Sequence, residues 1–294
     1  MVNTSLDNDL YKDKAAIGKY TVVKTLGQGG EGRVYLARDE ALQRLVAIKQ
    51  VNRQRNDREE EKRLVKEADF LQQLKHPMLP VIYDLLWDDA WYLVMEYIQG
   101  ATLRNYIERN GYAEEGQAHT WAESLLDILE YLHTRKPPVI YQDLKPDNIM
   151  VCPDGSLKLV DFGATFRRSF GGERDHVMAA TRGYAAPEQS ARHGTHADER
   201  SDIYAFGKVL YYIVTAADPA KPPYTTLSVR DYQPLLPDRL ERLIRKCIRE
   251  EADERYQVVA DIRRDLARCG RRKYHLRRRS FIKAIEKRVW LTEG

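Results

Sequence analysis

The stretch LGQGGEGRV, residues 26–34, decides the fold. It sets Gly27, Gly29 and Gly32 in a G-x-G-x-x-G spacing, with Val34 two residues on. The same spacing occurs in dinucleotide-binding turns, which join a strand to a helix inside a βαβ unit. Here the flanks are YTVVKTLG and GRVYLARD, both rich in β-branched and aromatic residues. The loop therefore joins strand to strand. In such a hairpin the missing side chains let backbone N–H groups approach an anionic ligand. A plain Gly-rich turn satisfies the pattern equally well. Gly30 adds freedom at the tip, and Glu31 suits an anion site only with its carboxylate turned to solvent.

Outward from this loop the pattern stays β-rich. LVAIKQVN is a third strand, and VIYDLLWDD and AWYLVMEYI are two more. Between them EEEKRLVKEADFLQQL places Leu64, Ala68, Leu71 and Leu74 at helical spacing. After Gly100 the signal turns helical. Ala118–His133 is apolar on one broad face, and SDIYAFGKVLYYIVT is apolar almost all round, which puts it at the centre of a lobe. PDRLERLIRKCIRE and YQVVADIRRDLARC are later amphipathic helices. The expected architecture is α+β and bilobal: a small antiparallel β lobe with one helix over 18–97, and a larger, mainly helical lobe over 101–268. Residues 1–17 are expected to be frayed, and 269–294 form a basic tail.

Composition narrows the class. Hydrophobic residues at 43% and charged residues at 31% fit an ordinary globular chain. Cys152, Cys247 and Cys269 form no C-x-x-C pair, so neither a disulfide framework nor a zinc site is expected, and a reducing cytoplasmic setting is. There is no signal-like apolar start and no run approaching the ~18 to 20 residues of a membrane span. Residues 271–294 hold nine Lys and Arg against Glu286 and Glu293, a net of +7; the chain totals +4, so the remainder is near −3.

Two further stretches carry chemistry. Lys49 ends VAIK inside an apolar strand, where an unpaired ammonium is costly. Glu67 on the following helix supplies one anion, a phosphate another. YQDLKPDNIM, residues 141–150, delivers Asp143, Lys145 and Asn148 on one short loop. DFG at 161–163 follows the short strand LKLV, so the Asp161 carboxylate sits at a strand end, placed to bind Mg²⁺. Asn148 offers a neutral oxygen to a second ion. Asp143 then remains to orient a hydroxyl and accept its proton, and Lys145 to neutralise a phosphoryl group in transfer.

With these motifs in order the sequence resembles the protein kinase family, specifically bacterial serine/threonine kinases of eukaryotic type, over about residues 18–266. The run is GQGGEGRV, VAIK, Glu67, MEY at 95–97, DLKPDN, DFG, TRGYAAPE, SDIYAFG and Arg255. The resemblance implies an ATP- and Mg²⁺-dependent enzyme acting on a protein substrate, with autophosphorylation open to it. It implies a nucleotide site from Leu26, Gly27, Gln28, Gly29, Gly30, Glu31, Gly32, Val34, Ala47 and Lys49. It makes Met95 the gatekeeper and the backbone of Glu96, Tyr97 and Ile98 the adenine-binding hinge. Thr181 would contact Asp143 and Lys145, Glu188 would pair with Arg255, and Asp202 would hold the catalytic loop through its backbone. Asp147 beside Lys145 would favour basic residues near the acceptor.

The pattern departs in one place. The family's His-Arg-Asp is here Tyr141-Gln142-Asp143. An uncharged Gln142 makes no pair with an activation-loop phosphate. Tyr141 is expected to imitate the packing and hydrogen bond of the His. These departures keep a pseudokinase, a nucleotide-responsive binding module, as the alternative; TRGYAAPE argues against a small-molecule kinase. The basic tail, with Tyr274, Phe281 and Trp290, reads as a solvated helix end, a dock for anionic membrane or nucleic acid, or a contact with the acidic body or a partner.

Overall fold

The computed structural model describes residues 15–29, 32–51, 58–161, 183–189, 197–222 and 226–269. The first third of the chain forms a six-stranded antiparallel sheet. Its strands are β1 (Ala16–Ile17), β2 (Tyr20–Gly29), β3 (Gly32–Asp39), β4 (Arg44–Val51), β5 (Ile82–Trp87) and β6 (Trp91–Glu96), in the order β1-β2-β3-β4-β6-β5. Helix α1 (Arg58–Gln73) joins β4 to β5. Tyr20, Tyr35, Ala37, Val46, Ile48, Tyr92 and Val94 make one core under the sheet.

The sheet begins earlier than the sequence suggests. Ala16 and Ile17 pair with Thr21 and Tyr20, and Ile17 is fully buried in the sheet core. The frayed segment set at residues 1–17 is corrected at its end, because Ala16 and Ile17 belong to the sheet. A two-residue strand is too short to show alternation, which is why the pattern missed it.

The rest of the chain carries a three-stranded sheet, β7 (Ala101–Thr102), β8 (Ile149–Val151) and β9 (Leu157–Leu159), and six further helices among the described residues. These are α2 (Leu103–Asn110), α3 (Glu115–His133), α4 (Glu199–Thr215), α5 (Val229–Tyr232), α6 (Asp238–Cys247) and α7 (Val259–Ala267). Helix α4 is buried along nearly its whole length and opens with a capping box: Asp198 accepts from the Arg200 N–H, and the Asp198 N–H donates to Ser201 Oγ. Trp121, Leu125, Leu129, Phe206, Tyr211 and Ile244 anchor a core that also takes in Leu71, Leu74, Met78 and Leu79. The end of α1 is thereby fastened to the helical lobe. Ala68 and Leu71 fall on its buried face, and Leu74, just past its end, is buried as well.

The chain crosses between the lobes at Gly100. A Cβ there would meet the Val151 carbonyl oxygen at 2.3 Å, so only glycine lets the crossing lie against β8. No helix among the described residues is long and apolar enough to cross a membrane. The expectations for Gly30, Glu31, Thr181 and the basic segment 271–294 lie outside the described residues, as does the side chain of Glu67, whose backbone is part of α1.

Candidate active site

Sheet register builds one wall of the site. Val34 pairs with Lys49, Lys49 with Leu93, and Ala47 with Met95. Paired residues share a face, as do residues two apart on one strand. Val34, Ala47, Lys49 and Met95 therefore lie on the same face, and Gly27, paired with Val34, extends it into the glycine hairpin. Leu26, Gly27 and Gln28 are exposed there, and Gly29 pairs with Gly32 at the turn. Tyr97 and Ile98 follow β6 directly, with Ile98 buried.

The antiparallel pair β8–β9 builds the opposite wall. Its register, Ile149 against Leu159, puts Asn148 across from Val160, and the Val160 N–H donates to the Asn148 carbonyl at 3.0 Å. Asn148 and Asp161 are thus neighbours by topology. Lys49 Nζ reaches across and meets Asp161 Oδ1 at 2.7 Å. Sheet lobe and helical lobe are joined through this ion pair.

The loop between α3 and β8 is held by one carboxylate. Asp202, fully buried in the first turn of α4, accepts from the Tyr141 N–H at 2.8 Å and the Gln142 N–H at 2.7 Å. His133 Nε2 adds a contact at 2.9 Å. Two successive N–H groups face a single carboxylate because Gln142 takes a left-handed conformation, φ +68°. That conformation is uncommon for a residue with a Cβ and persists only when its surroundings fix it. Gln189 completes the fixing: its Nε2 donates to the Gln142 carbonyl at 2.8 Å, while its Oε1 accepts from the Ala186 N–H.

Within the loop, Asp143 Oδ2 accepts from Lys145 Nζ at 2.7 Å and from Asn148 Nδ2 at 2.8 Å. Asn148 Nδ2 also donates to the Asp143 carbonyl at 2.9 Å. With its amide nitrogen committed to Asp143, Asn148 turns its side-chain oxygen the other way. A carboxylate and an amide oxygen at the ends of adjacent strands form a hard-oxygen donor set of the kind Mg²⁺ requires. Tyr141 is fully buried, and its hydroxyl donates to the Asp161 carbonyl at 2.5 Å. Burial, with the charges of Asp161, Asp143 and Asp202, pushes its phenol well above the usual range and keeps it a donor.

Glu188 and Arg255 form a bidentate pair at 2.7 and 2.8 Å. The remaining guanidinium donors go to the carbonyls of Arg249, Arg200 and Glu250, so all five are used. Burial alone would raise the Glu188 carboxyl; the bonds from Arg255 and Ser201 Oγ hold it below its ordinary value.

Some participants carry no sequence signal. Lys158 Nζ meets Glu96 Oε1 at 2.6 Å, tying β9 to the end of β6. Arg104, at the start of α2, forks onto Asp147 at 2.7 and 2.8 Å and also bonds Asp218, whose other oxygen accepts from the Tyr184 hydroxyl at 2.9 Å. Asp147 is therefore not the unpaired carboxylate that its place beside Lys145 suggests.

The chain is similar to known proteins over most of its length. The protein kinase domain model matches residues 20–261. The chain is 33% identical over 267 residues to the serine/threonine-protein kinase PrkC of Bacillus subtilis, covering 86% of this chain and 41% of that protein. It is 32% identical over 275 residues to the serine/threonine-protein kinase PknB of Mycolicibacterium smegmatis, covering 85% and 43%. The chain spans about two fifths of the length of these curated relatives. With the fold, the motif order and this match in agreement, the chain belongs to the protein kinase domain family.

Proposed function

We propose that the chain is a serine/threonine protein kinase that uses ATP and Mg²⁺. The observation that carries the reading is the convergence of Asp143, Lys145 and Asn148 on one loop with the Lys49–Asp161 pair opposite. The glycine hairpin from Leu26 to Val34, with Ala47, covers the nucleotide, and the backbone of Glu96 to Ile98 beyond Met95 receives its base. Lys49, steadied by Glu67, neutralises phosphate oxygens. Asp161 and Asn148 would hold Mg²⁺, which supplies charge neutralisation on the phosphates when bound.

Asp143 accepts the proton of a substrate hydroxyl as that oxygen bonds to the γ-phosphorus and the bond to the departing diphosphate oxygen breaks. Lys145 stabilises the charge gathered on the phosphoryl oxygens, and Thr181 steadies Asp143 and Lys145. Turnover on the order of 1–100 per second is typical of the class. Two serine/threonine-protein kinases among the relatives support the hydroxyl specificity.

The test is transfer of labelled phosphate from Mg-ATP to peptides that differ only in carrying Ser, Thr or Tyr as acceptor. Transfer to Ser and Thr is expected. Tight Mg-ATP binding with no transfer to any peptide or to the chain itself would instead make it a nucleotide-responsive binding module.

A further inference from the structure

We propose that Arg104 is a specificity residue, an arginine built into the peptide platform that occupies the two carboxylates a basic substrate would otherwise engage. The inference rests on the kinase reading, and it concerns which peptides that site takes.

Four chain segments meet at this guanidinium. Arg104 comes from the first turn of α2, Asp147 from the loop that carries Asp143, Asp218 from the loop after α4, and Tyr184 from the segment TRGYAAPE. The Arg104 fork takes both oxygens of Asp147, and a third donor takes Asp218 Oδ2. Asp218 Oδ1 is filled by the Tyr184 hydroxyl and the Ala220 N–H, both at 2.9 Å. The Asp218 side chain is 5% exposed and that of Arg104 18%, so this pairing is largely out of water. Asp147, at 43%, faces the surface. Gly183 closes the joint: a Cβ there would lie 2.5 Å from the Pro219 carbonyl oxygen, so the Tyr184 segment packs directly on the Asp218 loop. Lys221 and Glu108 add an exposed pair between α2 and the same loop.

Bidentate arginine–carboxylate bonds are strong and geometrically exacting. A substrate arginine reaching Asp147 would have to displace a fork that is already formed and would bring a second cation beside the first. Like-charge placement of this kind selects against a partner as effectively as a new contact selects for one. Two carboxylates next to the reacting loop therefore give no preference for basic residues. The platform takes acceptors with basic and with uncharged neighbours about equally.

Two peptides decide this, identical except for Arg or Gln at the positions flanking the acceptor on its N-terminal side. The full chain and Arg104→Gln are compared by the ratio of kcat/KM for the Arg and Gln peptides, and by the ratio of Kd from fluorescence anisotropy. In the parent chain the ratio is expected to stay within about threefold of unity. In Arg104→Gln it is expected to rise about tenfold or more in favour of the Arg peptide, through KM rather than kcat, as the two carboxylates open. A parent chain that already selects the Arg peptide about tenfold overturns the proposal, as does a folded Arg104→Gln variant with an unchanged ratio. Where Arg104→Gln does not fold, Asp147→Asn is read instead. Its ratio is expected to match the parent's near-unity value, and a ratio that falls about tenfold against the Arg peptide overturns the proposal. If no phosphate reaches either peptide, the kinase reading fails on its own, and the Kd ratios still carry the same expectations.

Discussion

At the scale of single residues, the position before Gln142 shows how one side chain replaces another by chemistry rather than shape. Tyr141 donates from its hydroxyl to the Asp161 carbonyl, the residue whose carboxylate meets Lys49. Tyr141→Phe removes that donor and leaves a carbonyl short of its partner, at a cost of about 1–3 kcal/mol. Thermal melting is expected to record the loss and kcat to fall about tenfold, because Asp161 is held less firmly; unchanged melting and turnover would dismiss the bond as incidental. Arg255 is the other such residue. Arg255→Lys keeps the charge but loses the five-donor fork, at about 3 kcal/mol for a buried pair near neutral pH. Glu188 sits below its ordinary value of 4.5 when folded, so its stabilisation is complete above that value and is lost as pH falls through the lower folded one. The stability gap between parent and variant should narrow below about pH 4.5 in denaturation series; a constant gap into strong acid would contradict the pairing. The meeting of Asp143, Lys145 and Asn148 was legible because one short loop fixes their spacing. The partners of Arg104 were not, since Asp147 and Asp218 lie 43 and 114 residues away along the chain. The pairing of Asp147 with Arg104 had no sequence signal for that reason.

At the scale of elements, the strands around the glycine loop were readable from their β-branched and aromatic residues, and α3 and α4 from their continuous apolar faces. Register was not readable, yet register is what sets Val34, Lys49 and Met95 on one face and Asn148 opposite Val160. The loop 141–148 depends on neither pattern. It is shaped by Asp202 from α4 and Gln189 from the segment before it, which together fix the left-handed Gln142. Because these bonds hold the loop and Gln142 carries no charge, its order is expected not to depend on a phosphate on the segment after DFG. The double substitution Thr165→Val, Ser169→Ala is expected to leave kcat/KM within about threefold of the parent, measured after phosphatase treatment of both. A loss of about a hundredfold would show that a phosphate on this segment does order the site.

At the scale of the whole molecule, two of the contacts that join the lobes are ion pairs across the cleft, beside the packing of Leu71, Leu74, Met78 and Leu79 on the helical core. One is Lys49 with Asp161 and the other Lys158 with Glu96, whose second oxygen also accepts from the Val81 N–H at 3.2 Å. The second pair lies at the end of β6, beside the backbone proposed to receive the base. Lys158→Met removes the pair while keeping the length of the stem. It is expected to raise KM for ATP several-fold with a smaller change in kcat, as a loosened cleft binds the ground state less well; equal falls in kcat and kcat/KM would place Lys158 in the transition state instead. The central claim is that Asp143 takes the proton of the acceptor hydroxyl. It is tested most directly by comparing the parent chain with Asp143→Asn for phosphate transfer from Mg-ATP and, on the same preparations, for Mg-ATP affinity. The account predicts transfer reduced by about a hundredfold or more with affinity within about threefold. Transfer that survives the substitution, or affinity lost along with it, would contradict the account.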